Sequence, residues 1–168
     1  MIHVCSLARL NDTVDETGAR HVVTLLRLSD RVTLEGRIAP ENHLVLSMDD
    51  ITSPMDGYEA PGQEHVTRLI EFVSGWDRKA PMVVHCYAGI SRSSAAAYVS
   101  ACALNPRRDE MQIAYEIRRA SRTAMPNARI VALADKLLKR DGRMIHAIET
   151  IGPGHPATEG IPFRLDLE

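Results

Sequence analysis

The chain has 168 residues, a length that fits one domain able to bury a core of its own. Hydrophobic residues make up 45% and charged residues 25%, a balance too apolar for general disorder. Twenty Lys and Arg against 22 Asp and Glu leave a net charge of −2, and the few aromatics are scattered, which argues against a nucleic-acid or anionic-membrane partner.

In chain order, "IHVCSL" and "HVVTLL" are β-rich runs separated by the polar "NDTVDETGAR", which predicts two strands joined by a turn or short helix. "NHLVLSM" is a third strand candidate. The Pro, Gly and Asp content of "DDITSPMDGYEAPGQ" predicts a long surface loop, a candidate lid or active-site loop. From Pro61 to Trp76, Val66, Leu69, Ile70 and Val73 stand at helical spacing. "APMVVHC" reads as a fully buried strand. Three further helices are expected over Arg92–Leu104, Asp109–Ser121 and Asn127–Lys139, broken at Asn105-Pro106 and Met125-Pro126.

Strands that come first, alternate with helices and then give way to them predict a single α/β domain. Its sheet is expected to be mostly parallel, four or five strands wide, with helices on both faces. Residues 1–150 would form that catalytic-type domain, and the Gly- and Pro-rich 151–168 a C-terminal tail or late edge strand. The longest apolar stretch, Ala95 to Leu104, is roughly half a membrane span, and "MIHVCSLARL" lacks the pattern of a signal peptide, so a cytoplasmic location is expected. Cys5, Cys86 and Cys102 are odd in number and stand at no metal-ligand spacing, so neither a disulfide framework nor a metal site is expected.

The chemistry concentrates in "VVHCYAGISRSSAAA". A strand ending at His85-Cys86 and a helix starting near Arg92 leave Tyr87, Ala88, Gly89, Ile90 and Ser91 to wrap a turn just large enough for one tetrahedral anion, phosphate or sulfate. Backbone N–H groups at a helix start converge on such an anion, and Gly89 supplies the freedom the tight wrap needs. The Cys86 thiol would lie at the floor of this nest, where amides and guanidinium favour the thiolate. A thiolate beneath a phosphate is placed for in-line attack on phosphorus, giving a cysteinyl-phosphate. Arg92 can grip two phosphate oxygens at once, and Ser93 can donate to the sulfur when it later departs.

His85-Cys86, five residues, then Arg92-Ser93 resembles the signature loop of the cysteine-dependent protein tyrosine phosphatases, and "VVHCYAGISRS" most resembles their compact dual-specificity branch. "IRRASRTAMPNARIVALADKLL" is similar to that branch's late helical region, where a Pro-Asn pair opens the last helix. The resemblance implies that Asn127 braces the phosphate loop and that His85 orients it and favours the thiolate. Ser121 stands where the family often has arginine, with Arg122 next to it, and the likeness spans roughly residues 20 to 140.

The resemblance also implies an aspartate upstream of the cysteine as general acid. In "LVLSMDD" the second acid fits best, so Asp50 is the favoured donor, Asp49 the alternative and Asp56 a distant third. Without the Cys86 loop, adjacent acids at a strand end would read as solvated turn residues. Cys5 and Cys102 read as buried fillers, with a resolving thiol as the alternative. Arg118, Arg119 and Arg122 read as a solvated face pairing with acids such as Glu116, or else as substrate-steering cations. Tyr87 and Ile90 should point outward and shape the pocket, and the absence of lysine from the loop weighs against a lipid substrate.

The expected function is thus a phosphomonoester hydrolase, a protein tyrosine phosphatase with dual specificity left open. It would act without cofactor on a phosphorylated protein or peptide, and no oligomeric state is implied. The alternatives are a phosphopeptide-binding pseudophosphatase and a rhodanese-like sulfurtransferase.

Overall fold

The structure, a computed structural model, describes residues 1–168. The elements are β1 (Ile2–Ser6), α1 (Leu10–Thr17), β2 (His21–Leu26), β3 (His43–Ser47), α2 (Gln63–Ser74), β4 (Met82–Cys86), α3 (Arg92–Leu104), α4 (Glu110–Ala120), α5 (Ala128–Leu137), α6 (Arg143–Ile151) and β5 (Phe163–Leu165). A single 3₁₀ turn, Pro40–Asn42, leads into β3.

The five strands lie in the order β3-β2-β4-β1-β5. The first four are parallel, and β5 runs antiparallel along β1. All five residues of β4 are buried, which is why "MVVHC" carries no polar alternation: a central parallel strand is covered on both faces. Successive side chains of a strand point to opposite faces. Met82, Val84 and Cys86 therefore enter the large core under α2 to α6, while Val83 joins a smaller cluster with Leu10 and Val14 of α1. Helices cover both faces, as expected, but unequally.

Helix α3 is buried from Arg92 through Cys102. Its Ala, Ser and Cys residues leave no polar stripe because α2, α4, α5 and the sheet surround it, and a helix enclosed on all sides needs none. Helix α6 is not among the elements expected from the residue pattern. Its first backbone N–H groups are capped from the preceding helix, where the Asp135 carboxylate accepts from Gly142 at 2.8 Å and Met144 at 2.9 Å. A cap that arrives from another element leaves no local signature.

The loop between β3 and α2 has no regular structure, and its neck is closed at Asp49. There the backbone N–H donates to the Glu59 carbonyl at 2.8 Å, and the carboxylate accepts from the Glu59 N–H at 2.8 Å and from Arg27 Nε at 2.8 Å. No helix is long and apolar enough to cross a membrane.

Candidate active site

Residues Cys86 to Arg92 leave the C-terminal end of β4 and enter α3, outside the carboxyl ends of the strands, where α/β folds collect ligands. Gly89 has φ +71°, and a Cβ built there would meet the Cys5 carbonyl carbon and the Ser6 nitrogen at 2.7 Å. Only glycine satisfies both the left-handed backbone and the close approach of β1.

The loop's carbonyls point outward, held from three other parts of the chain. Tyr87 C=O accepts from Leu7 N–H at 3.1 Å, Ala88 C=O from Gly160 N–H at 2.9 Å, Ile90 C=O from Met125 N–H at 3.0 Å and Ser91 C=O from Asn127 N–H at 3.2 Å. In a planar trans peptide the N–H lies opposite the C=O, so pinning these carbonyls outward turns the N–H groups of Ala88, Gly89, Ser91 and Arg92 inward. Gly89 N–H accordingly donates to Cys86 Sγ at 3.3 Å. Ser93 Oγ lies 3.1 Å from the same sulfur.

Arg92 is buried, and its Nη1 donates to the Met48 carbonyl at 2.9 Å. That bond fixes the fork's rotation. Nε, on the other edge, is buried without a hydrogen-bond partner. The site residues line a cleft of about 630 Å³ whose walls include Asp50, Ile51, Met55, Cys86, Tyr87, Met125, Asn127 and Ala157.

The two adjacent acids separate. Asp50 lines the cleft, and its Oδ1 accepts from Ser91 Oγ at 2.8 Å and from Asn127 Nδ2 at 2.9 Å. Asp49 faces away and is committed to Arg27 and the loop neck. Asp56 is exposed and outside the cleft.

Asn127 does more than the sequence reading assigned to it. Its backbone holds the Cys86–Arg92 loop at Ser91, while its side chain holds Asp50 and the Ile51 carbonyl and caps α5 by accepting from Arg129 and Ile130. Tyr87 is exposed at 63%, and Ile90 lines the cleft.

His85 is fully buried, and burial pushes its imidazole down to about 4, so it is neutral near pH 7. Its Nδ1 lies 3.4 Å from the Cys86 carbonyl, and its Nε2 lies 2.7 Å from Thr24 Oγ1, which also meets His43 Nε2 at 2.8 Å. A carbonyl can only accept, so Nδ1 carries the proton and Nε2 accepts from the threonine hydroxyl. A neutral His85 lends the loop orientation rather than charge. Burial also pushes the thiols of Cys5 up to about 11 and of Cys102 up to about 12, as befits packing residues.

Arg118 is not the solvated cation its sequence neighbourhood suggested. Its Nη1 reaches the carbonyls of Ser121, Arg122 and Ala124, and its Nη2 that of Gly152 at 2.8 Å. Glu116 pairs instead with Arg108 at 2.5 Å, with Arg119 at 3.9 Å beyond. The residues sequence reasoning missed are Leu7, Met125 and Gly160. They act through backbone N–H groups, which every residue but proline carries, so no residue type could betray them.

The fold is shared with solved phosphatase structures. A human tyrosine phosphatase-like serine/threonine/tyrosine-interacting protein is 16% identical with TM-score 0.64, covering 83% of this chain and 92% of that one. DUSP15 is 17% identical with TM-score 0.59 over 89% and 90%. The PTP-2 phosphatase of Cydia pomonella is 16% identical with TM-score 0.60 over 80% and 84%. No curated protein sequence matches. A family model described as "Tc-R-P: Polymorphic toxin system, DSP-PTPase phosphatase" matches residues 8–104, more than half of the chain and including the Cys86–Arg92 loop. On that match, this chain belongs to the DSP-PTPase phosphatase family of polymorphic toxin systems.

Proposed function

We propose that this phosphatase cleaves the phosphomonoester of a phosphotyrosine in a protein or peptide, in two steps through Cys86. In the first, the Cys86 thiolate attacks phosphorus in line with the ester oxygen. The S–P bond forms as the P–O bond breaks, and Asp50, protonated on the Oδ2 that makes no hydrogen bond, gives its proton to the leaving oxygen. Arg92 holds two of the phosphoryl oxygens through Nε and Nη2, and the inward N–H groups share the rest of the charge.

In the second step, water attacks phosphorus while the Asp50 carboxylate takes its proton. The S–P bond breaks, Ser93 Oγ–H donates to the departing sulfur, and orthophosphate leaves. Asn127 and Ser91 hold Asp50 over the loop, and His85 holds the Cys86 end of β4.

The observation that carries this reading is the unpaired Nε of buried Arg92 beside inward-turned amides and the Cys86 sulfur. A planar fork offered edge-on matches a tetrahedral oxyanion. An aromatic ring reaching out of the loop would meet Tyr87 and Met125, which favours phosphotyrosine over phosphoserine or phosphothreonine. The cleft-facing Asp50 and the Ser93–Cys86 pair distinguish the reading from a module that only binds the anion. The three free, buried cysteines suit a cytoplasmic site of action.

Hydrolysis of an aryl phosphate by the intact protein tests the reading. Turnover should resist chelators, be blocked by vanadate and vanish in Cys86→Ser. Turnover that survives in Cys86→Ser would refute it.

A further inference from the structure

The segment that follows α6, residues 152–161, lies outside the stretch the family model matches, yet it runs along the phosphate loop. Its course is fixed at four points. Arg118 Nη2 donates to Gly152 C=O at 2.8 Å, His155 N–H donates to Arg122 C=O at 2.9 Å, Ser6 Oγ donates to Glu159 Oε1 at 2.5 Å, and Gly160 N–H donates to Ala88 C=O at 2.9 Å. Two of its glycines lie directly against backbone. A Cβ on Gly154 would meet the Thr123 carbonyl oxygen at 2.5 Å, and one on Gly160 would meet the Gly89 carbonyl oxygen at 2.8 Å. Between these points, Ala157 forms part of the cleft wall.

We propose that this strap is a working part of the phosphatase site: Gly160 is a positioning residue for the anion-binding amides, and Ala157 sets the width of the substrate opening. The proposal rests on the phosphate-loop reading above.

The reasoning follows the peptide plane. Ala88 C=O and Gly89 N–H belong to one planar unit, so the strap's bond to the carbonyl holds the amide facing the Cys86 sulfur. Leu7, Met125 and Asn127 bind the carbonyls of the neighbouring planes from within the α/β body, but the carbonyl of this plane is bound from the strap alone. A side chain at position 160 would push the strap off the Gly89 carbonyl and free the plane to turn. A large side chain at 157 would instead narrow the cleft and leave the amides where they are.

Two variants read these roles separately, with Gly75→Ala as a control at a glycine whose Cβ would meet nothing closer than 3.7 Å. Gly160→Ala should lower kcat for phenyl phosphate about tenfold, part of the loss expected when an oriented donor is removed outright. It should also weaken inorganic phosphate binding, measured by calorimetry, by a similar factor. Ala157→Phe should raise KM for naphthyl phosphate several-fold relative to phenyl phosphate.

Wild-type kcat and phosphate affinity in folded Gly160→Ala would overturn the positioning role, and an unchanged KM ratio in Ala157→Phe would overturn the wall. Should Gly160→Ala fail to fold, Ser6→Ala, which releases the strap at Glu159 and also removes the 3.2 Å bond from Arg9 N–H, replaces it with the same readouts. The calorimetric arm needs no turnover, so a wild-type protein that binds phosphate without hydrolysing it would fail the two-step mechanism and still decide the strap.

Discussion

Arg92 and Arg140 are buried to nearly the same degree, 6% and 5% exposed, and they are treated in opposite ways. Arg140 is fully answered: Nη1 meets the Glu110 carboxylate at 2.6 Å and Nη2 donates to the Cys102 carbonyl at 2.7 Å, which ties α3, α4 and the α5–α6 corner together. Arg92 has one carbonyl, no carboxylate and an unpartnered Nε. A buried cation normally requires a counter-charge. In the proposed mechanism the substrate supplies it, so that the same residue type serves as a strut in one place and as a receptor in the other.

That contrast can be broken by exchanging each arginine for lysine or alanine. Arg92→Lys should keep the fold and lower kcat/KM roughly 10²–10³-fold, because an ammonium cannot present two parallel donors to phosphate. Arg140→Ala should do the reverse. Glu110 would keep only the half-exposed Arg143, 3.2 Å away, and the Cys102 carbonyl would lose its donor, which should cost about 1–3 kcal/mol of stability in a denaturant titration, with kcat of the folded fraction unchanged. If Arg140→Ala lost activity while remaining folded, the division between strut and receptor would fail.

A smaller effect sharpens the same distinction between residues held by the protein and residues held for the substrate. Asp50→Asn should slow hydrolysis of phosphotyrosine about 10²-fold and nitrophenyl phosphate much less, since only the poorer leaving group needs the proton. Asp49→Asn, which loosens Arg27 and the loop neck, should show no such dependence on leaving group.

The smallest effect concerns His85. Its folded-state value, about 4, lies below the 6.5 of an unfolded histidine, so between those limits the unfolded chain binds the extra proton. The stability that follows from keeping it neutral is complete above about pH 6.5 and is lost as the pH falls towards 4, by about 3 kcal/mol in all. Burial lowers His3 and His43 as well, in the same direction, so the comparison is with His85→Gln. The variant's melting temperature should fall less steeply over this range than that of the wild type.

How much of this was legible in the sequence depended on whether the residues that act together are also neighbours in the chain. Cys86, Gly89, Arg92 and Ser93 lie within one short loop, so their spacing alone carried the proposed chemistry. The strands β1 to β4 announced themselves as β-rich runs. The Asp49/Asp50 choice needed the fold, because adjacent residues at a strand end point to opposite sides, one to the loop neck and one to the cleft. The pinning of the loop by Leu7, Met125 and Gly160, and the capping of α6 by Asp135, depend on segments brought together from distant parts of the chain. Arg118 misled for a related reason: three of its four carbonyl partners lie just beyond its own helix, at Ser121, Arg122 and Ala124, where a helical-face reading has no place for them.

The most direct measurement is a crystal structure of the wild-type protein with tungstate. An oxyanion should lie with two oxygens on Arg92 Nε and Nη2, the others on the N–H groups of the Cys86–Arg92 loop, and its central atom above Cys86 Sγ. Tungstate bound away from that loop, or Arg92 turned to another partner with the sulfur out of reach, would contradict the mechanism at its root.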